Sequence, residues 1–164
     1  MLLFIAIQAY FNLHQNLSTE KHIIVSWSLR SISEQLPSIM KRHSLFSVFV
    51  VDDDPSMLRG MKRLLREHGF DTGLFASGEA LLRQGDFGKA FCIILDINLN
   101  DESGIDLRRR LTNQGISLPV IYITGNDSPA NRSAAMESGC IAYLTKPFAA
   151  QSLIEPIERV RAAA

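Results

Sequence analysis

Cysteine is scarce: the 164-residue chain holds two, Cys92 and Cys140. Both sit among apolar or small neighbours, and no Cys-x-x-Cys or His/Cys cluster offers a zinc or redox site. The two could pair, but their settings favour buried, reduced thiols of an intracellular protein. Excess charge is also missing, since 17 Lys and Arg balance 17 Asp and Glu. Nothing in that balance favours nucleic acid or an anionic membrane as a partner. Long apolar runs are absent too. Met1 to Ile7 is soon broken by Gln8 and Asn12, which leaves it too short to span a bilayer. It also lacks the positive lead-in and small-residue cleavage site of a secretory signal. No Gly-x-Gly-x-x-Gly or P-loop is found, which sets aside a nucleotide-binding module. No internal repeat or low-complexity tract occurs.

What remains is the composition of an ordinary folded domain, 46% hydrophobic and 21% charged, in a chain long enough to bury a proper core. Residues 1–44 stand apart from the rest. Ile23 to Leu29 alternates apolar residues with Ser, as a half-exposed strand does, and Ile32, Leu36 and Ile39 have helical spacing interrupted by Pro37. We read 1–44 as an N-terminal extension and 45–164 as the domain. The native functional unit is expected to begin near Met40, the upstream residues being dispensable or outside the native protein. The opposing reading makes them an added edge strand or a packed helix.

From Leu45 onward the pattern is regular. Phe46 to Val51 is an apolar run rich in strand formers, ending in Asp52-Asp53-Asp54. Asp54-Pro55 then reads as the cap and first residue of a helix whose apolar face is Leu58, Met61 and Leu65 and whose end is Gly69. Thr72 to Phe75 is a second strand, and a helix runs from a Ser77 cap to Gly85. Phe91 to Leu95 is a continuous apolar run, as in a strand covered on both faces, and delivers Asp96 at its end. Ser103 caps a helix closed by Gly115. Val120 to Ile123 leads to Thr124-Gly125, and Ser128-Pro129 opens a helix that stops at Gly139. Ile141 to Leu144 leads to Thr145-Lys146-Pro147-Phe148, and a last helix runs toward Arg161.

Five strands alternating with five helices predict an α/β fold, a doubly wound five-stranded parallel sheet with helices on both faces. The strand order is not readable from periodicity. Were it 2-1-3-4-5, Asp52 and Asp53 would stand beside Asp96, with Thr124 and Lys146 at the next two strand ends, at the carboxyl edge where such sheets bind ligands. Crowded carboxylates call for a hard divalent cation such as Mg²⁺. A carboxylate beside Mg²⁺ and a lysine can act as a nucleophile toward phosphorus. Taken singly, each residue has a plainer reading: a solvated cap for Asp52 to Asp54, a strand-end residue for Thr124, a surface lysine for Lys146.

Val50-Val51-Asp52-Asp53-Asp54-Pro55, Leu95-Asp96-Ile97-Asn98, Gly104, Tyr122-Ile123-Thr124-Gly125 and Lys146-Pro147-Phe148 resemble the receiver domain of two-component response regulators. The resemblance runs from about Phe46 to Arg161, and the turns are most similar to the nitrogen-fixation regulator subfamily. It implies the order 2-1-3-4-5, and it implies that Asp96 accepts a phosphoryl group from a sensor histidine kinase or histidine phosphotransfer protein. Asp53 and Asp96 would hold Mg²⁺ through side chains, Asn98 through its carbonyl and Asp52 through water. Thr124 and Lys146 would contact the phosphoryl group, Tyr143 would switch rotamer with Thr124, and Lys146-Pro147 would be cis. Tyr143 also reads as a half-buried strand residue.

Such a protein is expected to be cytoplasmic, to catalyse only its own phosphorylation and dephosphorylation, and to act on an output protein, with a homodimer on phosphorylation allowed. No contact with membrane or nucleic acid is expected. A stand-alone regulator or phosphorelay shuttle is the first expectation, since a DNA-binding domain does not fit before Ala164; a detached receiver half of a DNA-binding regulator is the second. A rival is a phosphatase of the haloacid dehalogenase type, for which Asp52 and Asp54 would supply an Asp-x-Asp pattern. Three departures from the family pattern carry expectations. Asn100 in place of a proline loosens the loop from Asn98 to Glu102. Ala149 weakens the cap of the last helix. Pro156 gives that helix a kink or a late start.

Overall fold

The computed structural model describes residues 47–100 and 102–163. The readings made for Ile23 to Leu29, for Ile32, Leu36 and Ile39, and for a start near Met40 lie outside these residues. In chain order the elements are β1 (Ser47–Val51), α1 (Pro55–Glu67), β2 (Asp71–Phe75), α2 (Gly78–Gln84), a 3-10 turn (Phe87–Lys89) and β3 (Ala90–Asp96). Then come α3 (Gly104–Asn113), β4 (Val120–Thr124), α4 (Pro129–Glu137), β5 (Ala142–Thr145) and α5 (Ala150–Ala163). The five strands form one parallel sheet in the order β2-β1-β3-β4-β5.

The period of two along each strand divides the core into two layers. Val48 and Val50 of β1, Cys92 and Ile94 of β3, and Ile121 and Ile123 of β4 pack with α1 and α5 through Leu58, Met61, Leu65, Leu153 and Ile157. Their alternates, Phe49, Val51, Ile93, Leu95 and Tyr122, pack with Leu81, Leu107, Leu111 and Ala135 from α2, α3 and α4. All seven residues of β3 are buried, so the central strand has no polar face to distinguish. Each fully buried Ile or Leu contributes roughly 1.5–3 kcal/mol relative to exposure. This double covering is why the β3 sequence is an unbroken apolar run.

The helix signals hold position by position. Asp54 Oδ1 accepts from the Ser56 amide, and the Ser77, Ser103 and Ser128 hydroxyls accept from the first-turn amides of α2, α3 and α4. Gly69, Gly85, Gly115 and Gly139 all take positive φ just past helix ends. Strand boundaries move slightly: β2 starts at Asp71, β3 at Ala90, and β5 runs from Ala142 to Thr145. The Ile141 amide still bonds the Val120 carbonyl, at 2.8 Å, ahead of β5.

Of the kink or late start expected for the last helix, the late start does not occur. α5 begins at Ala150 directly after the uncapped Ala149 and runs continuously through Pro156. Proline inside a helix costs about 3 kcal/mol through a lost amide donor and a clash. Pro156 is itself buried in line with Leu153, Ile154 and Ile157, and their burial against the sheet offsets that cost. Among the described residues, no helix is long and apolar enough to cross a membrane.

The two thiols are free, Cys92 buried on β3 and Cys140 partly covered. Burial pushes the Cys92 thiol up to about 12 and raises that of Cys140 as well. An aromatic disulfide reagent at pH 8 should therefore titrate one thiol per folded chain, more slowly than a free cysteine, and the second only on unfolding. Cys140→Ser should remove the native-state signal. Labelling of Cys92 in the folded protein would show that β3 is not closed on both faces.

Candidate functional site

Three backbone bonds extend the sheet just past its strands and level its carboxyl edge. The Asp52 amide donates to the Phe75 carbonyl, that of Ile97 to Ile123, and that of Lys146 to Thr124, at 3.1, 2.9 and 2.7 Å. Val51 is in register with Leu95, so Asp52 stands beside Asp96. Thr124 is in register with Thr145, which places Lys146 one residue farther. The Lys146-Pro147 bond is cis, as expected.

At this edge the Lys146 ammonium bridges two carboxylates, donating to Asp52 Oδ2 at 2.8 Å and to Asp96 Oδ2 at 2.6 Å. Asp52 is 0% exposed and Asp96 5% exposed, while the lysine side chain keeps 22% of its surface. Burial raises the Asp52 carboxyl above its usual range, against the pull of Lys146 and the Asp54 amide. Burial alone would lower Lys146, but its bonds to Asp52 and Asp96 outweigh it and hold the ammonium above its ordinary value. The remaining oxygens are engaged by the chain itself: the Asp54 amide donates to Asp52 Oδ1 and the Asn98 amide to Asp96 Oδ1.

Asp53, half-buried, completes an acidic group. One oxygen from each of Asp52, Asp53 and Asp96 lies within 4.8 Å of the others. Three carboxylates face one ammonium, an excess of negative charge that a hard divalent cation with oxygen ligands neutralises. The donor set therefore fits Mg²⁺. Asp54, by contrast, is exposed and spent on capping α1, so Asp52 and Asp54 do not form the pair that the phosphatase reading needs.

Thr124 is fully buried, and its hydroxyl is held on three sides. It accepts from the Asn126 amide and from Asn98 Nδ2, and donates to the Asn126 carbonyl, each at 3.1 Å. The Asn98 side chain thus ties the loop after Asp96 to the end of β4. That link was not anticipated, because it joins positions 26 apart and has no local signal. The Thr-x-Asn spacing at Thr124 and Asn126 was a readable turn signal. Tyr143 lies at half burial on β5, with its hydroxyl donating to Asp127 at 2.9 Å and its ring 4.6 Å below the Arg132 guanidinium. Asp127 and Arg132 were likewise not singled out from sequence.

The loop after β3 is tied by a bridge between Asn98 and Ser103 and by a 2.9 Å bond from the Gly104 amide to the Ile97 carbonyl. Asp101, within it, lies outside the described residues. A Cβ at Gly104 would collide with the carbonyl of Asp96, so glycine here lets α3 start directly against the strand that carries the carboxylate.

A model of the response regulator receiver domain matches residues 48–158. Nodulation protein W of Bradyrhizobium diazoefficiens is 34% identical over 110 residues, which cover 67% of this chain and 48% of that protein. Sensory transduction protein RegX3 of Mycobacterium tuberculosis is 35% identical over 114 residues, 70% of this chain and 50% of that one. The crystal structure of a CheY-like receiver domain protein from Methanospirillum hungatei superposes with a TM-score of 0.66 at 27% identity, covering 73% of this chain and 96% of its own. The chain spans about half the length of the curated relatives it matches. The nodulation relative agrees with the resemblance of the turns to nitrogen-fixation regulators. Matched over most of its length in sequence, and in fold down to the order of its five strands, the chain belongs to the response regulator receiver family.

Proposed function

We propose that the domain is a phosphorylation-dependent switch whose phosphoacceptor is Asp96. The observation that carries the reading is the buried pair of carboxylates, Asp52 and Asp96, bridged by the Lys146 ammonium beside a third carboxylate at the open edge of the sheet. The donor is a phosphohistidine on a sensor kinase or phosphotransfer protein. An Asp96 carboxylate oxygen attacks phosphorus, forming the P–O bond as the P–N bond breaks, and the bonding pair returns to the imidazole. Lys146, released from Asp96 Oδ2, follows the charge onto a phosphoryl oxygen, and the Thr124 hydroxyl turns from Asn126 to donate to another. Mg²⁺, held by the Asp53 and Asp96 side chains, the Asn98 carbonyl and Asp52 through water, would neutralise phosphoryl oxygens. Attack of water on phosphorus then restores the carboxylate and releases phosphate.

The domain acts on its own aspartate rather than on a turned-over substrate, and signals through a change in the surface offered to an output partner. It works in the cytoplasm, alone or as a relay shuttle. The match covers about half of each relative, which favours as a second reading the receiver half of a longer regulator. Whether the source reading frame continues past Ala164 separates the two.

With Mg²⁺ and a small acyl phosphate, the protein should gain one acid-stable, base-labile phosphoryl group. Asp96→Asn should abolish it, since an amide is a poor nucleophile, and full labelling of that variant would remove Asp96 from its role. Lys146→Ala should slow uptake on the order of a hundredfold while changing Mg²⁺ affinity less.

The lifetime of the phosphoryl group should fall in the range of seconds to minutes. Asn98 and Asn126 flank Asp96 and Thr124 with small amides that orient water without excluding it. Asn126→Leu is the cleaner probe, because Thr124 bonds only the backbone of that residue. It should slow hydrolysis several-fold in a radiolabel chase; an unchanged rate would make Asn126 an ordinary turn residue.

The functional unit is proposed to begin near Met40. Both sheet faces are covered by the five described helices, and the family match starts at Val48. A chain from Met40 to Ala164 should melt cooperatively and accept phosphate as the full protein does. Aggregation, or a melt many degrees lower, would make the upstream residues part of the fold.

A further inference from the structure

The loop that leaves Asp96 has no proline to stiffen it, yet its far end is clamped. Arg110, on the second turn of α3, donates through Nη1 to Glu102 Oε1 at 2.8 Å and through Nη2 to Glu79 Oε1 at 2.7 Å. The three residues belong to three segments: Glu79 opens α2, Glu102 lies in the loop, and Arg110 lies in the helix beyond it. The planar fork of arginine suits such a bridge, because it offers a separate nitrogen to each carboxylate. The Arg110 guanidinium holds the Glu79 carboxyl below its usual range.

Glu102 is the enclosed member. Its side chain is 15% exposed, against 44% for Arg110 and 53% for Glu79. It is seated over the first residue of α2, where a Cβ at Gly78 would overlap its Oε1 and come within 3.0 Å of Leu107. A glycine at the start of α2 therefore makes room for the loop carboxylate. From Glu102 the constraint passes directly to the site. Ser103 follows in sequence and is bridged to Asn98, whose amide donates to Asp96 Oδ1 and whose side chain holds the Thr124 hydroxyl.

We propose that Arg110 is a positioning residue of the phosphorylation site: by clasping Glu102 to Glu79 it fixes the loop that presents Asn98, and so pre-forms the Mg²⁺ site. The inference rests on the proposed role of Asn98 and Asp53 in holding the metal. The clasp does for this chain what a loop proline does elsewhere. It restricts the loop before the metal arrives, so that ordering is not charged against binding.

The test is Mg²⁺ titration of the full ¹⁵N-labelled chain, following the amides of Asp53 and Asn98, beside thermal melts of each variant. Arg110→Ala should weaken Mg²⁺ on the order of fivefold at a temperature where it is fully folded. Arg110→Lys, which keeps the charge but loses the two-nitrogen fork, should recover part of that loss. Glu102→Gln keeps the seat over Gly78 and removes the charge; it should weaken Mg²⁺ similarly and serves if Arg110→Ala folds poorly. Wild-type Mg²⁺ affinity in Glu102→Gln and in folded Arg110→Ala would overturn the clasp. Asp53→Ala, run alongside, separates the two failures. Its sharp loss of binding with unaffected clasp variants sinks the clasp alone, whereas unaltered binding in Asp53→Ala sinks the site reading beneath it.

Discussion

The Lys146 ammonium between Asp52 and Asp96 is the contact on which the rest of the structure depends. Two carboxylates almost without solvent access cannot stay ionised side by side unless a cation or a set of donors faces them. Here a single lysine reaches both, and the amides of Asp54 and Asn98 take the other oxygens. Such an arrangement adds little net stability, because desolvation consumes most of the attraction, but losing one member strands a buried charge. It therefore acts less as a fastener than as a constraint on geometry. β1 and β3 must be neighbours in register, and the turn after β5 must fold back over the edge. The strand order β2-β1-β3-β4-β5 meets both requirements.

Much of this was legible because the local signals were redundant. Four helices start on a side-chain acceptor, at Asp54, Ser77, Ser103 and Ser128, and end near a left-handed glycine. These signals fixed where each strand had to stop, and the polar residues at those stops are Asp52, Asp96, Thr124 and Lys146. Strand order had no such local signature, because a buried parallel strand is apolar on both faces, as in β3. It came instead from the family resemblance. α5 shows the limit of propensity. Its sequence has neither a cap acceptor at Ala149 nor an intact donor at Pro156, yet it forms from Ala150 because Leu153, Ile154 and Ile157 are buried. Tertiary packing outweighs the helix's own preferences there.

The side-chain links around the site were not legible at all. Asn98 to Thr124, Tyr143 to Asp127, and Arg110 to both Glu79 and Glu102 join residues from different elements. No period or cap relates the partners, so each amide, hydroxyl or guanidinium reads alone as an ordinary surface group. The composition concealed them for the same reason: the acids and bases balance overall, and only folding sorts them into an acidic edge and local pairs.

The buried polar groups of the resting site are all engaged, and this bears on how it switches. Among the described residues no buried side-chain nitrogen or oxygen lacks a partner. The Thr124 hydroxyl is fully committed to Asn126 and Asn98, and Lys146 to two carboxylates. In the proposed reaction, a phosphoryl group on Asp96 brings new acceptor oxygens into a place where Lys146 and Thr124 already have partners. Its bonds are made by exchange: what Lys146 gives to phosphate it withdraws from Asp96, and what Thr124 gives it withdraws from the Asn126 carbonyl. Because Thr124 is shared with Asn98, that withdrawal reaches beyond β4 into the segment that continues to Glu102 and α3. Small movements at the carboxylate thus become changes in which elements are tied together, and two networks of partners, rather than two degrees of strain, distinguish the states.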